Sequence, residues 1–191
     1  MLSGVGTFTH TAFETPLGPV AVAATRAGVL RCSLPGSDPD DLVDEVITRT
    51  GLVPVEGGAQ VDAAADQVLA FLDGDLPRFS LELDWSLTNG FYRDVLRATT
   101  TVAWGETASY GEVAALAGRP GAARAAGTAL SVNPIALIVP CHRIIRADGS
   151  TGGYGGGAAG TALKQRLLDL ENPGSGSGTD RSAASPTPRC G

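Results

Sequence analysis

The spacing of apolar residues in the first part of the chain predicts a small α+β unit over residues 1–85. Residues 11–34 alternate β-prone runs with turns that contain proline or glycine, a pattern typical of a β-hairpin or meander. Residues 38–50 and 61–73 instead carry apolar side chains at helical spacing, with acidic residues between them. Residues 78–85 alternate apolar and polar positions and therefore predict a further strand.

From residue 89 to residue 171 the apolar spacing is mainly helical. Helices are predicted over residues 91–100 and within residues 105–118, where Ser109 and Glu112 have the spacing of a capping box. In a capping box the serine side chain accepts from a free backbone N–H of the first turn, and the glutamate reaches back. The start of this helix is therefore expected at Ser109.

A partner helix is predicted after a tight turn at Gly118, with Pro120 in its first turn and Asn133-Pro134 at its end. Two short helices joined at a glycine form a helix-turn-helix pattern, which is common in DNA-binding proteins. A plain helical hairpin packed in a core fits the same spacing. The pattern alone leaves both interpretations open.

Four segments complete the chain. Residues 135–139 are a short apolar run, interpreted as a buried strand or extended segment. Residues 147–160 form a glycine-rich loop, and residues 161–171 have the leucine spacing of a last helix. Residues 172–191, which include Cys190, have the composition of a linker and are predicted to be disordered.

Charge is divided unevenly along the chain, whose net charge is −6. Residues 1–88 hold four arginines against thirteen acidic residues, whereas residues 89–172 hold eight basic residues against six acidic ones. Such asymmetry is expected when one half of a protein meets a polyanion. A solvated acidic face on an ordinary domain gives the same counts, so charge alone does not decide the partner.

The cysteine content and the hydropathy pattern bear on the compartment. Three cysteines, a small and odd number, fit a reducing cytoplasm better than a disulfide framework. No CxxC pair is present, so we expect no structural zinc and no other metal. No apolar run is long enough to cross a membrane, and the first residues do not resemble a signal peptide. We therefore expect a cytoplasmic protein without a membrane partner.

The stretch IVPCHRII, residues 138–145, places Cys141 and His142 side by side in an apolar frame. A thiolate at Cys141 would be a nucleophile, with His142 as its base and Glu171 as the group that orients the imidazole. Neighbours in an extended strand point to opposite faces, so direct contact would need a turn or a bridging water. A buried structural thiol and a hydrogen-bonded core histidine are the alternatives.

The second helix of the predicted pair consists almost entirely of Ala, Gly and Thr, which is unusual for a reader of the major groove. Small residues such as Ala125 and Thr128 would let the backbone approach a narrow minor groove. Arg124 is the one long cationic side chain there and could fill the space left by a base swung out of the duplex. That base would need a dry pocket with Tyr110 or Tyr154 against it, although Tyr154 fits a core position equally well.

Together these motifs resemble those of the O6-alkylguanine-DNA alkyltransferases, or methylated-DNA–protein-cysteine methyltransferases. The resemblance spans nearly all of residues 89–171, and its motifs are GETASYGEVAALAG, ARAAGTALSVNP, IVPCHRII, DGSTGGYGGG and LKQRLLDLE. The hairpin TPLGPVAVAATRAGVL is similar to the family's weaker N-terminal signature. The resemblance implies an irreversible, single-turnover repair reaction. An alkyl group on O6 of guanine, or on O4 of thymine, would move to the sulfur of Cys141.

The resemblance also implies roles for individual catalytic residues. His142, Glu171 and a water would deprotonate Cys141. Tyr110 would protonate guanine N3, and Asn133 would brace the turn before the active-site segment.

Contacts with the substrate are implied in the same way. The carbonyls of Cys141 and Ile144 would accept from the guanine amino group, and the N–H of Gly155 would approach O6. Arg124 would be the intercalating finger. The further expected contacts with substrate or DNA are Tyr154, Gly156, Ala125, Thr128 and Arg143.

The fold implied by the resemblance is α+β, with a small N-terminal α/β domain of ribonuclease-H-like type over residues 1–85. A mainly helical C-terminal domain with the helix-turn-helix would follow over residues 89–171. The implied partner is double-stranded DNA with alkylated guanine, bound through its minor groove by a monomer. No cofactor is expected, because the cysteine itself keeps the alkyl group.

The chain departs from the family pattern in the glycine-rich segment. Gly155 stands where the family more often has serine or alanine, so only a backbone donor would remain near O6. The stretch from Tyr154 to Lys164 is longer than the usual pattern, which affects the expected register of Glu171.

Two other functions fit the residue types. A lesion sensor would swing out alkylguanine without repairing it, but relatives of that kind lack the cysteine. A cysteine hydrolase with a Cys-His-Glu site would turn over repeatedly on an ester or an amide.

Overall fold

The computed structural model describes residues 6–155 and 157–172. The predicted substrate contact Gly156 lies outside the described residues. So does the segment predicted to be disordered, except for Asn172.

A four-stranded sheet forms the centre of the N-terminal part, in the order β3-β2-β1-β4. β1 (Thr7–Phe13), β2 (Val20–Thr25) and β3 (Gly28–Cys32) form the antiparallel meander predicted from the turn signals. β4 (Val53–Glu56) pairs in parallel with β1 and was not predicted. Its four residues are mostly exposed, so they lack the apolar run by which a strand is recognised.

Helices cover both faces of this sheet. α1 (Pro39–Thr50) and α2 (Ala59–Leu72) lie close to the two predicted helical ranges. In β2, Val20 and Val22 pack in the cluster that contains the α2 side chains, whereas Ala21 packs with those of α1. This two-sided burial explains why β2 is a continuous apolar run rather than an alternating one.

Two segments predicted to be strands do not form them. Within residues 78–85 only Leu83 bridges to Val29, and within residues 135–139 only Ile135 bridges to Cys32. The second segment is fully buried but consists of turns. Apolar spacing reports burial, and burial does not require a partner strand.

The C-terminal part is mainly helical, as predicted. The capping box is confirmed, because Ser109 Oγ accepts from the N–H of Glu112 at 3.2 Å and Glu112 accepts in return from Ser109 N–H at 2.7 Å. The elements are α3 (Gly90–Thr99), β5 (Ala108–Ser109), α4 (Tyr110–Leu116), α5 (Ala123–Ser131), β6 (Ile144–Ile145) and α6 (Gly157–Glu171).

Two helix starts differ from the prediction. α5 begins at Ala123, and Pro120 lies in the turn before it rather than in its first turn. α6 begins at Gly157, four residues earlier than expected. The last residues of the glycine-rich stretch therefore belong to α6, so they lengthen the helix rather than the loop.

The two parts of the chain share one hydrophobic cluster, which includes buried residues of β2, α2, α3, α5 and α6. The end of β3 also bonds to the segment that precedes Cys141. The N–H of Cys32 donates to the Pro134 carbonyl at 2.9 Å, and the N–H of Ala136 donates to the Cys32 carbonyl at 3.1 Å. The result is a mixed α/β fold, and the boundaries of the two predicted domains stay a prediction. Among the described residues, no helix is both long enough and apolar enough to cross a membrane.

We predict that Gly160→Ala destabilises the protein, although alanine normally favours a helix over glycine by up to about 1 kcal/mol. A Cβ on Gly160 would lie 1.5 Å from the Tyr154 carbonyl oxygen, so backbone must shift at a cost of about 1–3 kcal/mol or more. Urea denaturation measures the change.

Gly127→Ala in α5 is the matched control for this prediction. There a Cβ would meet only the Tyr110 ring, at an ordinary contact distance of 3.7 Å, so the substitution should be neutral or stabilising. Equal effects of the two substitutions would contradict the packing argument.

Candidate active site

A short 3-10 helix, Cys141–Arg143, carries the predicted nucleophile. The Arg143 N–H donates to the Pro140 carbonyl at 3.0 Å, and the Ile144 N–H donates to the Cys141 carbonyl. All three residues of this turn are buried. Of the conformations considered for this segment, the turn is therefore the one present: Cys141 lines a cavity, while His142 contacts Glu171 of the last helix.

The carboxylate of Glu171, at the end of α6, forms hydrogen bonds with the buried polar groups behind Cys141. Glu171 Oε1 lies 2.8 Å from His142 Nε2, and the Arg143 guanidinium binds both carboxylate oxygens at 2.9–3.1 Å. The N–H of Gly105 donates to Oε2 at 3.2 Å. The Glu171 side chain is 1% exposed, so this cluster is closed to solvent. The predicted pairing of Glu171 with His142 is thus present in the structure, and the longer glycine-rich stretch does not displace it.

The pKa values of this pair move in the direction that keeps glutamate charged and histidine neutral. Burial would raise the pKa of the Glu171 carboxyl, but the hydrogen bonds from His142 and Arg143 outweigh it, and the pKa lies below its usual value. Burial lowers the pKa of His142, and Glu171 offsets this only in part. Because Arg143 already balances the glutamate charge, the cluster is neutral with a neutral imidazole.

Arg143 is a correction to the expected DNA contacts. Its guanidinium is bound by Glu171 on one side and donates to the Val102 carbonyl at 2.7 Å on the other. Arg143 is 6% exposed and points into the protein, so it cannot reach a phosphate. Its contacts instead support a positioning role for Arg143, which holds the Glu171 carboxylate in place.

Cys141 lines a cavity of about 850 Å³. Asn133, in the turn after α5, holds the sulfur: its Nδ2 donates to Sγ at 3.2 Å and to the Val139 carbonyl at 3.1 Å, and its Oδ1 accepts from Ile135 N–H at 3.0 Å. Burial raises the pKa of the Cys141 thiol, and the Asn133 hydrogen bond and the Lys164 charge offset part of this rise. The amide therefore both fixes the turn and favours the thiolate.

The structure brings together seven of the predicted site residues around this cavity. They are Cys141, Tyr110, Asn133, Arg124, Thr128, Tyr154 and Gly155. Ala125 lies beside them on α5 and is exposed, as are Arg124 and Thr128. Because α5 has an uncovered face, the interpretation as a plain core hairpin is not supported. Ile144 is buried, and its carbonyl accepts from Lys164 Nζ.

The two tyrosines differ in environment. Tyr154 is 7% exposed, and its ring lies edge-on to His142 with centroids 6.4 Å apart. Its hydroxyl has no hydrogen-bond partner of good geometry among the described residues, but it faces Cys141 closely enough to lower the pKa of the thiol. Tyr110 is half-buried, and burial together with the nearby Cys141 raises the pKa of its phenol.

Lys164 is a site residue that the sequence patterns missed. It is fully buried, lies 5.8 Å from the centre of the Tyr110 ring and interacts electrostatically with Cys141. Burial lowers the pKa of its ammonium group to about 8. Gly160, Lys164, Leu167 and Glu171 recur at helical spacing, and all four are buried. A lysine and a glutamate on this otherwise apolar stripe were the signal in the sequence that could have identified Lys164 as a site residue.

Arg31, Leu34 and Arg146 also line the cavity and were not predicted. The first two come from the N-terminal part of the chain, for which no site residue was expected. Among the described residues, no three His, Cys, Asp or Glu side chains are grouped as a metal site would require.

Comparisons with known proteins point to one family. Residues 90–173 match the family model described as 6-O-methylguanine DNA methyltransferase, DNA binding domain. The methylated-DNA–protein-cysteine methyltransferase of Mycobacterium leprae is 43% identical over 160 residues, which cover 83% of this chain and 88% of that protein. The protein of the same name from Methanothermobacter thermautotrophicus is 46% identical over 137 residues, covering 69% and 75%.

Solved structures give the same picture. The crystal structure of Mycobacterium tuberculosis OGT in complex with DNA superposes with a TM-score of 0.70 at 36% identity, covering 86% of this chain and 93% of that chain. The O6-methylguanine-DNA methyltransferase from Pyrococcus kodakaraensis, at 22% identity and a TM-score of 0.65, shares the fold.

These comparisons give the class that the geometry alone leaves open between a transferase and a hydrolase: a transferase, with the buried Cys141 as its candidate nucleophile. The chain belongs to the O6-methylguanine DNA methyltransferase family, the methylated-DNA–protein-cysteine methyltransferases.

We predict that Arg143→Met lowers the free energy of unfolding by about 3–5 kcal/mol, because it leaves the Glu171 carboxylate buried without its main counter-charge. Chemical denaturation measures the loss.

Arg49→Met removes the same charge from an exposed ion pair with Glu45 and serves as the control. It should cost about 1 kcal/mol or less. If both variants lost the same free energy of unfolding, the buried Arg143–Glu171 pair would matter no more to stability than an exposed ion pair.

Proposed function

We propose that this chain repairs alkylated DNA by moving the alkyl group from O6 of guanine to the sulfur of Cys141, in one irreversible turnover. O4-alkylthymine, which carries the same kind of alkyl–oxygen bond, is the proposed second substrate. One observation carries the assignment. Cys141 lines a cavity whose wall also includes Ala123, Arg124, Gly127 and Thr128 of α5. A nucleophile beside the exposed face of a DNA-binding helix can reach a base only if that base leaves the duplex.

The proposed reaction is a displacement at carbon. The Cys141 thiol passes its proton toward His142, which Glu171 orients through Nε2. The thiolate then forms a bond to the alkyl carbon while the carbon–O6 bond breaks, and the electron pair of that bond stays on the purine. Tyr110 supplies the proton that neutralises the purine at N3, and the proton that left Cys141 returns from His142 to the Tyr110 phenolate through solvent, so the net change moves the thiol proton to guanine. The thioether is stable, which is why the protein does not turn over and why no cofactor is needed.

Several contacts support these roles. Asn133 and Lys164 both favour the thiolate form of Cys141. The Gly155 N–H and the carbonyls of Cys141 and Ile144 are the proposed backbone partners of the base. Because Ile144 N–H and Lys164 already donate to these two carbonyls, the guanine amino group would use the second lone pair of each.

DNA is proposed to bind through its minor groove against α5. Arg124, Ala125 and Thr128 are exposed on one side of this helix, and the small side chains let the backbone come close to the groove. Arg124 would enter the space of the extruded base. We propose that a monomer carries out the reaction in the cytoplasm, in keeping with the free thiols of Cys32 and Cys141.

The N-terminal part is proposed to be a ribonuclease-H-like domain over residues 1–85, followed by the DNA-binding and transfer domain over residues 89–171. The order β3-β2-β1-β4, with β4 parallel to β1, supports the first assignment. The match of the DNA-binding family model to residues 90–173 supports the second.

The central test is adduct formation on Cys141. Folded protein incubated with a duplex that contains one O6-methylguanine should gain the mass of a single methylene unit, and peptide mapping should place it on Cys141. Cys141→Ala should still bind the duplex and gain nothing. Duplex binding without any adduct on wild-type protein would favour a lesion sensor, and repeated turnover on an ester or amide would favour a hydrolase.

Arg124→Ala should slow transfer from duplex DNA about tenfold or more, because extrusion of a base from the stack costs a few kcal/mol and Arg124 is proposed to offset it. Transfer from free O6-methylguanine should change far less. Arg26→Ala, an equal loss of charge at an exposed position of the N-terminal part, is the control. Single-turnover rates on both substrates measure the difference, and equal losses on both would contradict the role of Arg124.

A further inference from the structure

The turn after β3 brings a residue of the N-terminal part to the cavity of Cys141. β3 ends at Cys32, which is bonded through its backbone N–H and carbonyl to Pro134 and Ala136. Arg31 Nη1 adds a second bond to the Pro134 carbonyl at 2.8 Å. These bonds fix the end of β3 to the segment that leads to Cys141. Leu34, two residues further on, lines the same cavity as the nucleophile.

Leu34 is held in place by its own turn. The N–H of Ser37 donates to the Leu34 carbonyl at 3.2 Å, and the N–H of Gly36 donates to the Pro19 carbonyl at 2.9 Å. The side chain of Leu34 packs against the main hydrophobic cluster while it borders the cavity. The position of Leu34 is therefore determined by the N-terminal sheet rather than by the helices around the active site.

On the far side, Leu34 occupies the space that a side chain at position 155 would need. A Cβ on Gly155 would lie 2.5 Å from Leu34 Cδ1, well inside contact distance. Gly155 also lines the cavity, and its φ of 53° lies in the left-handed region that glycine favours. The leucine methyl group thus substitutes for a side chain on the glycine-rich segment.

An alkyl group that reaches Cys141 must lie within this cavity, whose wall is formed in part by apolar side chains. Leu34 and Leu130 are its leucines, and only Leu34 comes from the N-terminal part and touches the glycine-rich segment. A leucine end group can be shortened or enlarged without loss of a hydrogen bond or a charge. Its size therefore affects the space available on this side of the cavity that Cys141 also lines.

We propose that Leu34 is a specificity-determining residue, which together with Gly155 sets the size of the alkyl group that Cys141 accepts. This inference rests on the proposed function and extends it, because it gives the N-terminal part a direct share in substrate selection. Wild-type protein is expected to prefer small alkyl groups to the extent that Leu34 fills the cavity.

The test compares two probes on the full chain, O6-methylguanine and O6-benzylguanine, each placed in the same duplex. Single-turnover rate constants are measured by intact mass, and the benzyl-to-methyl ratio is the readout. Leu34→Ala should raise this ratio about tenfold or more, in line with the effect of a few methylene groups in an apolar pocket. Leu34→Phe should lower it. Leu34→Met, which conserves volume, should leave it within about threefold.

Two further variants separate specificity from stability. Leu87→Ala truncates a partly buried leucine in the other hydrophobic cluster, away from the cavity, and should not change the ratio. Gly155→Ala should slow both probes because its methyl group collides with Leu34, and Leu34→Ala in the same chain should restore part of the rate.

The outcomes are distinct. If wild-type protein transfers no methyl group to Cys141, the proposed function itself fails. If wild-type protein transfers the group but folded Leu34→Ala and Leu34→Phe both keep the wild-type ratio, the role of Leu34 is refuted. If Leu34→Ala does not fold, two other variants decide the question: Leu34→Val, which shortens the side chain by one methylene group and should raise the ratio, and Leu34→Phe, which should lower it.

Discussion

The buried carboxylate of Glu171 is the constraint on which the active site depends. It ends α6 and is met by the imidazole of His142, the guanidinium of Arg143 and the backbone N–H of Gly105. A buried charge is tolerated only when it is paired and hydrogen-bonded, so these groups can take few other positions. The 3-10 helix that carries Cys141 is thereby tied to the last helix. The position of the Cys141 sulfur therefore depends on the Arg143–Glu171 ion pair, which lies behind the cavity.

The charge balance of this cluster shapes the chemistry in front of it. Arg143 neutralises Glu171, which leaves His142 neutral and able to receive a proton. The Asn133 amide and the Lys164 ammonium favour the thiolate form of Cys141. Burial outweighs them and holds the pKa of Cys141 above its ordinary value. Burial therefore favours the protonated and less nucleophilic thiol.

Close backbone packing is the second constraint, and glycine makes it possible. Gly160 lets α6 lie directly against the Tyr154 carbonyl, which places Lys164 and Glu171 on the inner face of the helix. Gly155 leaves room for Leu34. The N-terminal sheet is therefore joined to the site through an apolar side chain and through the Cys32 backbone, so the acidic part of the chain shapes a cavity whose chemistry comes from the other part.

The sequence by itself determined the meander, the capping box and, within residues 6–155 and 157–172, five of the six α-helices to within a few residues. The seven cavity residues were named by its motifs together with the family that these motifs resemble. These features follow from local spacing and from motif residues, which need no knowledge of distant partners. The sequence alone misjudged residues 78–85 and 135–139, whose apolar content reflects burial rather than strand pairing. The inward turn of Arg143, the placement of Lys164 beside Cys141 and the approach of Leu34 were decided only by the tertiary structure. Each depends on a contact between segments far apart in the chain, and local spacing carries no information about which distant group will satisfy a charge or fill a space.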